Sequence, residues 1–340
     1  MTFSHRRRQI SAMFLWASAC GAAVAQATPT KEVGPTHAAP RKLAADVGSG
    51  AADDEFPRTV AHYGGKTTLQ QAPLRVAVLS TGQNDGLLTL GLVPVGTTPD
   101  DQGRLYADYL VEGFASRQAQ MRRTADLGVR SAPDLEVLAA LRPDLILVNK
   151  AMLTPQMQAL YQRIAPTVVT RGNGVNWKID FLLLADALGR TGAARAWLAS
   201  YHADASSMAQ QWPQGQAASV SFVQANAARN RVMGVRSFAG SIAEDAGLRR
   251  PPSQRFAGNS QDISAELLDQ ADADWIFYAA RDKTLPALTG SPLWPRLRGV
   301  ALSHAVRVGL DPFYLNAGPL AARIVLSALA RTAPDTLAAR

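Results

Sequence analysis

Apolar and polar positions along this chain fall into short buried runs separated by amphipathic stretches, and one such pattern occurs twice. Asp134-Leu-Glu-Val-Leu-Ala-Ala-Leu-Arg-Pro-Asp-Leu-Ile-Leu-Val148 is echoed by Ser264-Ala-Glu-Leu-Leu-Asp-Gln-Ala-Asp-Ala-Asp-Trp-Ile-Phe-Tyr278. Glu136 matches Glu266, Leu138 matches Leu268, Asp144 matches Asp274 and Ile146 matches Ile276. Each copy predicts a short amphipathic helix, a turn ending in Asp and an apolar strand. Two such units predict two α/β lobes, and a cleft between lobes is a common place for a small ligand.

The rest of the pattern agrees. Thr59 to Tyr63 and Thr67 to Leu69 flank Gly64-Gly65 and predict a small hairpin. Arg75 to Ser80 predicts a buried strand, Asp85 to Gly91 a helix, Val93 to Gly96 a second strand, Met157 to Ile164 a helix and Thr167 to Thr170 a strand. This alternation implies a mainly parallel sheet covered on both faces. Trp177 to about Gln211 carries Phe181, Leu184, Leu188, Ala194, Trp197 and Tyr201 at helical spacing, weakened by Gly189 and Gly192. A helix of ~30 residues spans ~45 Å, long enough to run down both lobes and restrict their motion. In the second half, strands are predicted at Ser219 to Val223, Arg231 to Gly234, Trp275 to Tyr278 and Val306 to Val308. Helices are predicted at Phe238 to Gly247, Pro292 to Leu297 and Gly318 to Leu329. The domain reading is therefore a first lobe over 57–175, a connecting helix over 176–212 and a second lobe over 213–332.

The N-terminus stands apart. Arg6, Arg7 and Arg8 precede an apolar run from Ile10 to Val24, with Ala23-Val24-Ala25 as a cleavage site, so residues 1–25 read as a signal peptide. Arg7-Arg8-Gln9-Ile10 also suits a twin-arginine signal. Cys20 is the sole cysteine, so cleavage after Ala25 leaves a chain without disulfides, thiolate metal sites or a cysteine nucleophile. Lipid anchoring at Cys20 is the alternative. Residues 26–56 are rich in Ala, Pro, Gly and Thr without apolar period and predict a disordered tether. The net charge of +8 falls to +5 without Arg6, Arg7 and Arg8, an excess that suits an anionic ligand or simple solubility, and no Lys/Arg block points to nucleic acid.

Enzyme signatures are missing: no Gly-rich phosphate loop, no nucleophile elbow and no His-Glu-x-x-His. The histidines His5, His37, His62, His202 and His304 have no ligand spacing, so no protein-ligated metal is expected. What remains is a set of polar, cationic and aromatic residues just after predicted strands, where open α/β sheets bind ligands. These are Thr81, Gln83, Lys150, Met152, Arg281, Phe313 and Tyr314, with Arg130 and Arg236 facing the same space. A guanidinium is suited to pairing with carboxylate or other oxygen groups.

Those residues carry a resemblance. Pro73-Leu-Arg-Val-Ala-Val-Leu79, Leu90-Gly-Leu-Val-Pro-Val-Gly96, Asp126-Leu-Gly-Val-Arg130, Pro133-Asp-Leu-Glu136 and Arg142-Pro-Asp-Leu145 resemble segments of the periplasmic iron–siderophore binding proteins. Arg163-Ile-Ala-Pro166, Ser291-Pro-Leu-Trp294 and Phe313-Tyr314 continue the resemblance to near the end of the chain. It is closest to the branch that binds ferric hydroxamates, with the ferric dicitrate binder near. The resemblance implies an α/β class III periplasmic binding protein: two Rossmann-like lobes joined by a long rigid helix, serving an inner-membrane ABC permease and its ATPase as a periplasmic monomer. It places Arg130 at a ligand-binding arginine, Tyr106 at a pocket aromatic, and Glu136 and Glu266 at the glutamates that dock onto the permease. Ala257 replaces a pocket tryptophan, and the hydroxamate-site tyrosine is missing around Met152 to Thr154, which suggests a more anionic chelate such as ferric citrate. The expected mechanism is capture without chemistry or cofactor. Arg130, Arg236 and Arg281 would pair with oxygens of a ferric chelate, and Tyr106, Phe256, Phe313 and Tyr314 would cover its apolar faces. Cobalamin or haem capture on the same fold, or an exported hydrolase acting on the chelate, are the alternatives.

Overall fold

The computed structural model describes residues 42–334, apart from 214, 226–228 and 282. The expected signal peptide with its twin-arginine pattern, Cys20 and the first part of the expected tether lie outside the described residues. The chain runs β1 (Arg58–His62), β2 (Gly65–Leu69), β3 (Val76–Val78), α1 (Thr81–Thr89), β4 (Gly96–Thr97), α2 (Asp108–Gly113), α3 (Gln118–Met121), β5 (Ala125–Asp126), α4 (Leu135–Ala140), β6 (Leu145–Asn149), α5 (Pro155–Ile164) and β7 (Thr167–Thr170). It continues through α6 (Trp177–Ala187), α7 (Thr191–Ala209), β8 (Val220–Ala225), β9 (Asn230–Met233), α8 (Phe238–Asp245), β10 (Ser260–Ile263), β11 (Trp275–Ala280), α9 (Leu285–Thr289), α10 (Arg298–Ala301), β12 (Ala305–Arg307) and α11 (Pro319–Leu329).

Two five-stranded sheets result. The first has the order β5-β4-β3-β6-β7 and is parallel throughout. The second has the order β10-β9-β8-β11-β12; β8, β11 and β12 are parallel, and β9 runs antiparallel to both neighbours. The central strands β3, β6 and β8 are buried nearly end to end, as expected where helices cover both faces. The repeated aspartates explain why the two halves look alike. Asp144 accepts the Leu74 and Arg75 N–H groups, and Asp274 accepts the Ser219 N–H and hydroxyl. Each thus ties the turn before its strand to the start of the neighbouring central strand. The helices differ: Asp134 caps α4 through Glu136 and Val137 N–H, whereas its counterpart Ala265–Ala271 is 3-10, kinked at Leu267.

The connector departs from the sequence reading. The single helix expected over 176–212 is two helices, α6 and α7. Gly189 sits at φ +69°, a left-handed stop, where a Cβ would lie 2.9 Å from the Phe56 ring. No side chain of its own caps α7; Asp53 does so from a distance, accepting the Thr191 and Gly192 N–H groups at 2.7 and 2.8 Å. Ser49 binds Asp186 through both its N–H and its hydroxyl, and buried Arg58 donates to the Asp186 and Ala52 carbonyls. Residues 42–56 are therefore a strap fastened to the connector. The expected tether is corrected for that stretch: polar side chains, not apolar period, hold it down.

The two sheets share one hydrophobic core. Val78 and Leu147 of the first and Phe222 and Phe277 of the second belong to the same cluster. Trp177 bridges them, in edge contact with Tyr201 at 5.2 Å and Phe238 at 5.9 Å. Beside it Lys178 of α6 pairs with Asp245 of α8 at 2.5 Å, both side chains wholly buried, and Tyr201 donates to the same carboxylate. The closing helix α11 packs on α1 of the first half and α8 of the second.

Candidate functional site

A cavity with about 160 Å³ of water-accessible space lies where the carboxyl ends of the first sheet meet the segment returning from the second. Its floor is built by Ser80, Asn149 and Thr170, just after β3 or at the ends of β6 and β7. The Ser80 hydroxyl accepts the Asn149 N–H at 3.1 Å, which fixes these strand ends to each other. Trp177, Phe181 and Leu184 of α6 supply an apolar wall, and Leu315, Ala317 and Pro319 close the other side.

Arg130 lines the cavity beyond the edge strand β5. It is exposed, and its guanidinium makes no hydrogen bond or ion pair among the described residues. Gln83 also lines it, donating to the Thr170 hydroxyl at 2.8 Å while its Oε1 stays buried without a partner. The Thr81 and Met152 side chains lie outside what the structure describes. Asp180, which the sequence reading passed over, enters from α6. Its two oxygens accept the Arg171 and Gly172 N–H groups at 2.8 and 2.9 Å, and burial pushes its carboxyl up to about 7 against the pull of those bonds and of the Arg171 charge. The loop that holds it is tightly shaped: Gly172 and Asn173 both have positive φ, and Asn176 donates to the Gly172 carbonyl. The strand-end rule that found Gln83 also covers this loop; Gly172-Asn173-Gly174 after a predicted strand was the available signal.

The other cleft residues go elsewhere. Tyr106 is a core residue, its hydroxyl 2.6 Å from the Thr124 hydroxyl, and burial raises it to about 12. Phe256 packs in the satellite core of the second sheet. Phe313 is buried against Phe222 and Phe277, and Tyr314 donates its hydroxyl to the Phe277 carbonyl. The expectation that these four rings cover a ligand is corrected: they sit in loops and a short helical turn, where an aromatic gains more by filling the core than by facing water. Lys150 turns back to the Tyr63 carbonyl. Arg236 is exposed and does not line this cavity. Arg281 is already paired, with Asp101 across from it on the first half. Arg104 binds Asp100 on its own side and Asp311 on the other, at 2.7 and 2.9 Å. These ion pairs therefore join the two halves outside the residues that line the cavity.

One further carboxylate sits behind the cavity. Asp85 of α1 is fully buried and accepts the Leu320 and Ala321 N–H groups at the start of α11, with Tyr109 donating at 3.2 Å. Desolvation raises its carboxyl to about 6. Gly318 permits the approach: a Cβ there would lie 2.5 Å from Asp85. Glu136 and Glu266 are both exposed in the first turns of their elements, without partners among the described residues. Among the described residues there is no group of three or more His, Cys, Asp or Glu placed to hold a metal, and no helix long and apolar enough to cross a membrane.

Comparison with known proteins fits this geometry. The probable siderophore-binding lipoprotein YfiY of Bacillus subtilis is 28% identical over 286 residues, 78% of this chain and 84% of that one. The Fe(3+) dicitrate-binding periplasmic protein FecB of Escherichia coli is 23% identical over 274 residues, 74% of this chain and 88% of its own. The fold of Staphylococcus aureus SirA complexed with staphyloferrin B superposes with a TM-score of 0.69 at 24% identity, covering 81% of this chain and 97% of that one. Residues 76–306 match the family described as periplasmic binding protein. With two α/β halves, a cavity at their strand ends and a family match across most of the chain, this protein belongs to the periplasmic binding protein family.

Proposed function

We propose that this chain is the substrate-binding component of an ABC importer: it captures a ferric siderophore of hydroxamate or citrate/carboxylate type in the cavity and delivers it to an inner-membrane permease. The observation that carries the reading is Arg130, a guanidinium lining the cavity with no partner among the described residues. Such a group suits a ligand whose metal arrives already wrapped in oxygen donors, so the protein needs to grip the wrapping and not the iron. The siderophore- and ferric-dicitrate-binding roles that YfiY and FecB are named for support the same cargo class. Capture needs no chemistry, and the reading assigns none. Haem, the rival cargo, favours an axial His, Tyr, Cys or Met, and none occurs among the described residues lining the cavity.

The reading places the protein in the periplasm, with Glu136 and Glu266 as the permease contacts. Mass spectrometry of the protein purified from iron-starved cells tests the cargo: a ferric chelate supports the reading, and haem or an iron-free metabolite overturns it. Glu136→Ala with Glu266→Ala is expected to leave ligand affinity within twofold and to lower cellular uptake at least tenfold, the exposed carboxylates being free to meet a cationic partner. Uptake equal to that of the parent would remove both residues from the docking role.

A further inference from the structure

The cavity is not uniformly cationic. Arg130 follows β5 at one edge of the first sheet, and Asp180 is held just after β7 at the opposite edge. Each Asp180 oxygen spends one lone pair on a backbone N–H and keeps another. Nearby, the Gln83 side chain is more than nine-tenths buried, and its Oε1 accepts nothing. A buried acceptor left open is costly, so the orphan Gln83 Oε1, beside a carboxylate with lone pairs to spare, calls for a donor from outside the protein. The loop after β7, with Gly172 and Asn173 at positive φ, supplies the two N–H groups that hold that carboxylate in place.

We infer that Asp180 and Gln83 form an acceptor subsite that selects ferric siderophores carrying an ammonium or other hydrogen-bond donor, at the edge of the cavity away from Arg130. The inference rests on the siderophore reading above and narrows it. It also tempers the expectation of a purely anionic cargo: the cavity grips oxygen-rich surface at one edge and a donor at the other. The charged and titratable groups around Asp180 are few. Arg171 lies beside it on the strand end, with Tyr63 of the hairpin against Arg171. Lys178 of the same helix is taken by Asp245. Arg130 shares the cavity.

The test uses the tryptophan fluorescence of the whole protein and two ferric chelates that differ at one group. Ferrioxamine B carries a pendant ammonium; its N-acetylated form keeps the same ferric hydroxamate centre and lacks the charge. The parent is expected to bind ferrioxamine B at least tenfold more tightly, and Asp180→Asn to erase the difference. A second readout needs no variant. With the Asp180 carboxyl near neutrality, affinity for ferrioxamine B rises about tenfold from pH 6 to pH 8 as the carboxylate ionises, and affinity for the acetylated form stays flat. Equal affinities for the two chelates, or parallel pH profiles, overturn the subsite and leave the capture reading standing. Binding of ferric citrate but of neither hydroxamate does the same. Failure to bind any of the three overturns both.

Discussion

Arg130 and Asp85 show how one charged side chain differs from another by what surrounds it. Arg130 has water on one side, a cavity on the other and no internal partner. Its replacement by Ala is expected to weaken ligand binding tenfold or more, about 1.4 kcal/mol, and to leave the melting temperature unchanged within about 2 °C. A titration beside a thermal melt checks both; equal losses would mark a structural arginine. Asp85 is the reverse case, fully buried and bound to the first N–H groups of α11. Its folded carboxyl titrates at about 6, above the ordinary 3.8. The folded state therefore holds a proton that the unfolded chain has released, and stability from this group is present below about pH 4 and is lost as pH rises through 6. The stability of the parent relative to Asp85→Asn should thus fall between pH 4 and pH 7, by on the order of 3 kcal/mol at most. Urea titrations at both pH values measure it, and a difference that grows with pH would contradict the assignment.

At the scale of elements, α7 depends on a residue far from it in sequence. Asp53→Ala removes the cap of α7 and one fastening of the strap; a loss of about 1 kcal/mol is expected, with faster amide exchange at Thr191 and Gly192 as the local signature. Stability unchanged within error would mean that solvent replaces the cap. This contact was not legible in the sequence, because a carboxylate cap across the fold leaves no local spacing. The strands were legible. Val76–Val78, Leu145–Asn149 and Val220–Ala225 are apolar enough to be buried on both faces, and their predicted positions lie within a few residues of the observed ones. The repeated Asp was visible as a match, although its grip on the neighbouring strand was not. The site was read only in part. Gln83 follows from the strand-end rule and Arg130 from its place before the first repeated helix, and both line the cavity; but the rule cannot distinguish an aromatic that faces the cleft from one that turns inward, as Phe313 and Tyr314 do. Asp180 was hidden inside a helix that reads as hydrophobic nearly all round.

For the whole molecule, the decisive property is that the halves are not separate bodies. One core runs through both, Lys178 and Asp245 form a buried pair between α6 and α8, and α11 returns to pack on α1 and α8. A broken buried pair is costly, typically 3–5 kcal/mol, so the relative placement of the sheets is set by the same contacts that keep the protein folded. Large swings of one half against the other are not compatible with that. The pair that joins the halves outside the cavity is softer: Arg281 and Asp101 are both substantially exposed, and such pairs contribute at most about 1 kcal/mol. This gives the Arg281–Asp101 pair a second meaning. A polyanionic guest that reached that far would compete with Asp101 for the guanidinium. Asp101→Asn should tighten capture of ferric citrate by up to about fivefold, a gain that disappears in concentrated salt; an affinity identical to the parent's would show that the guest never reaches that far along the lip.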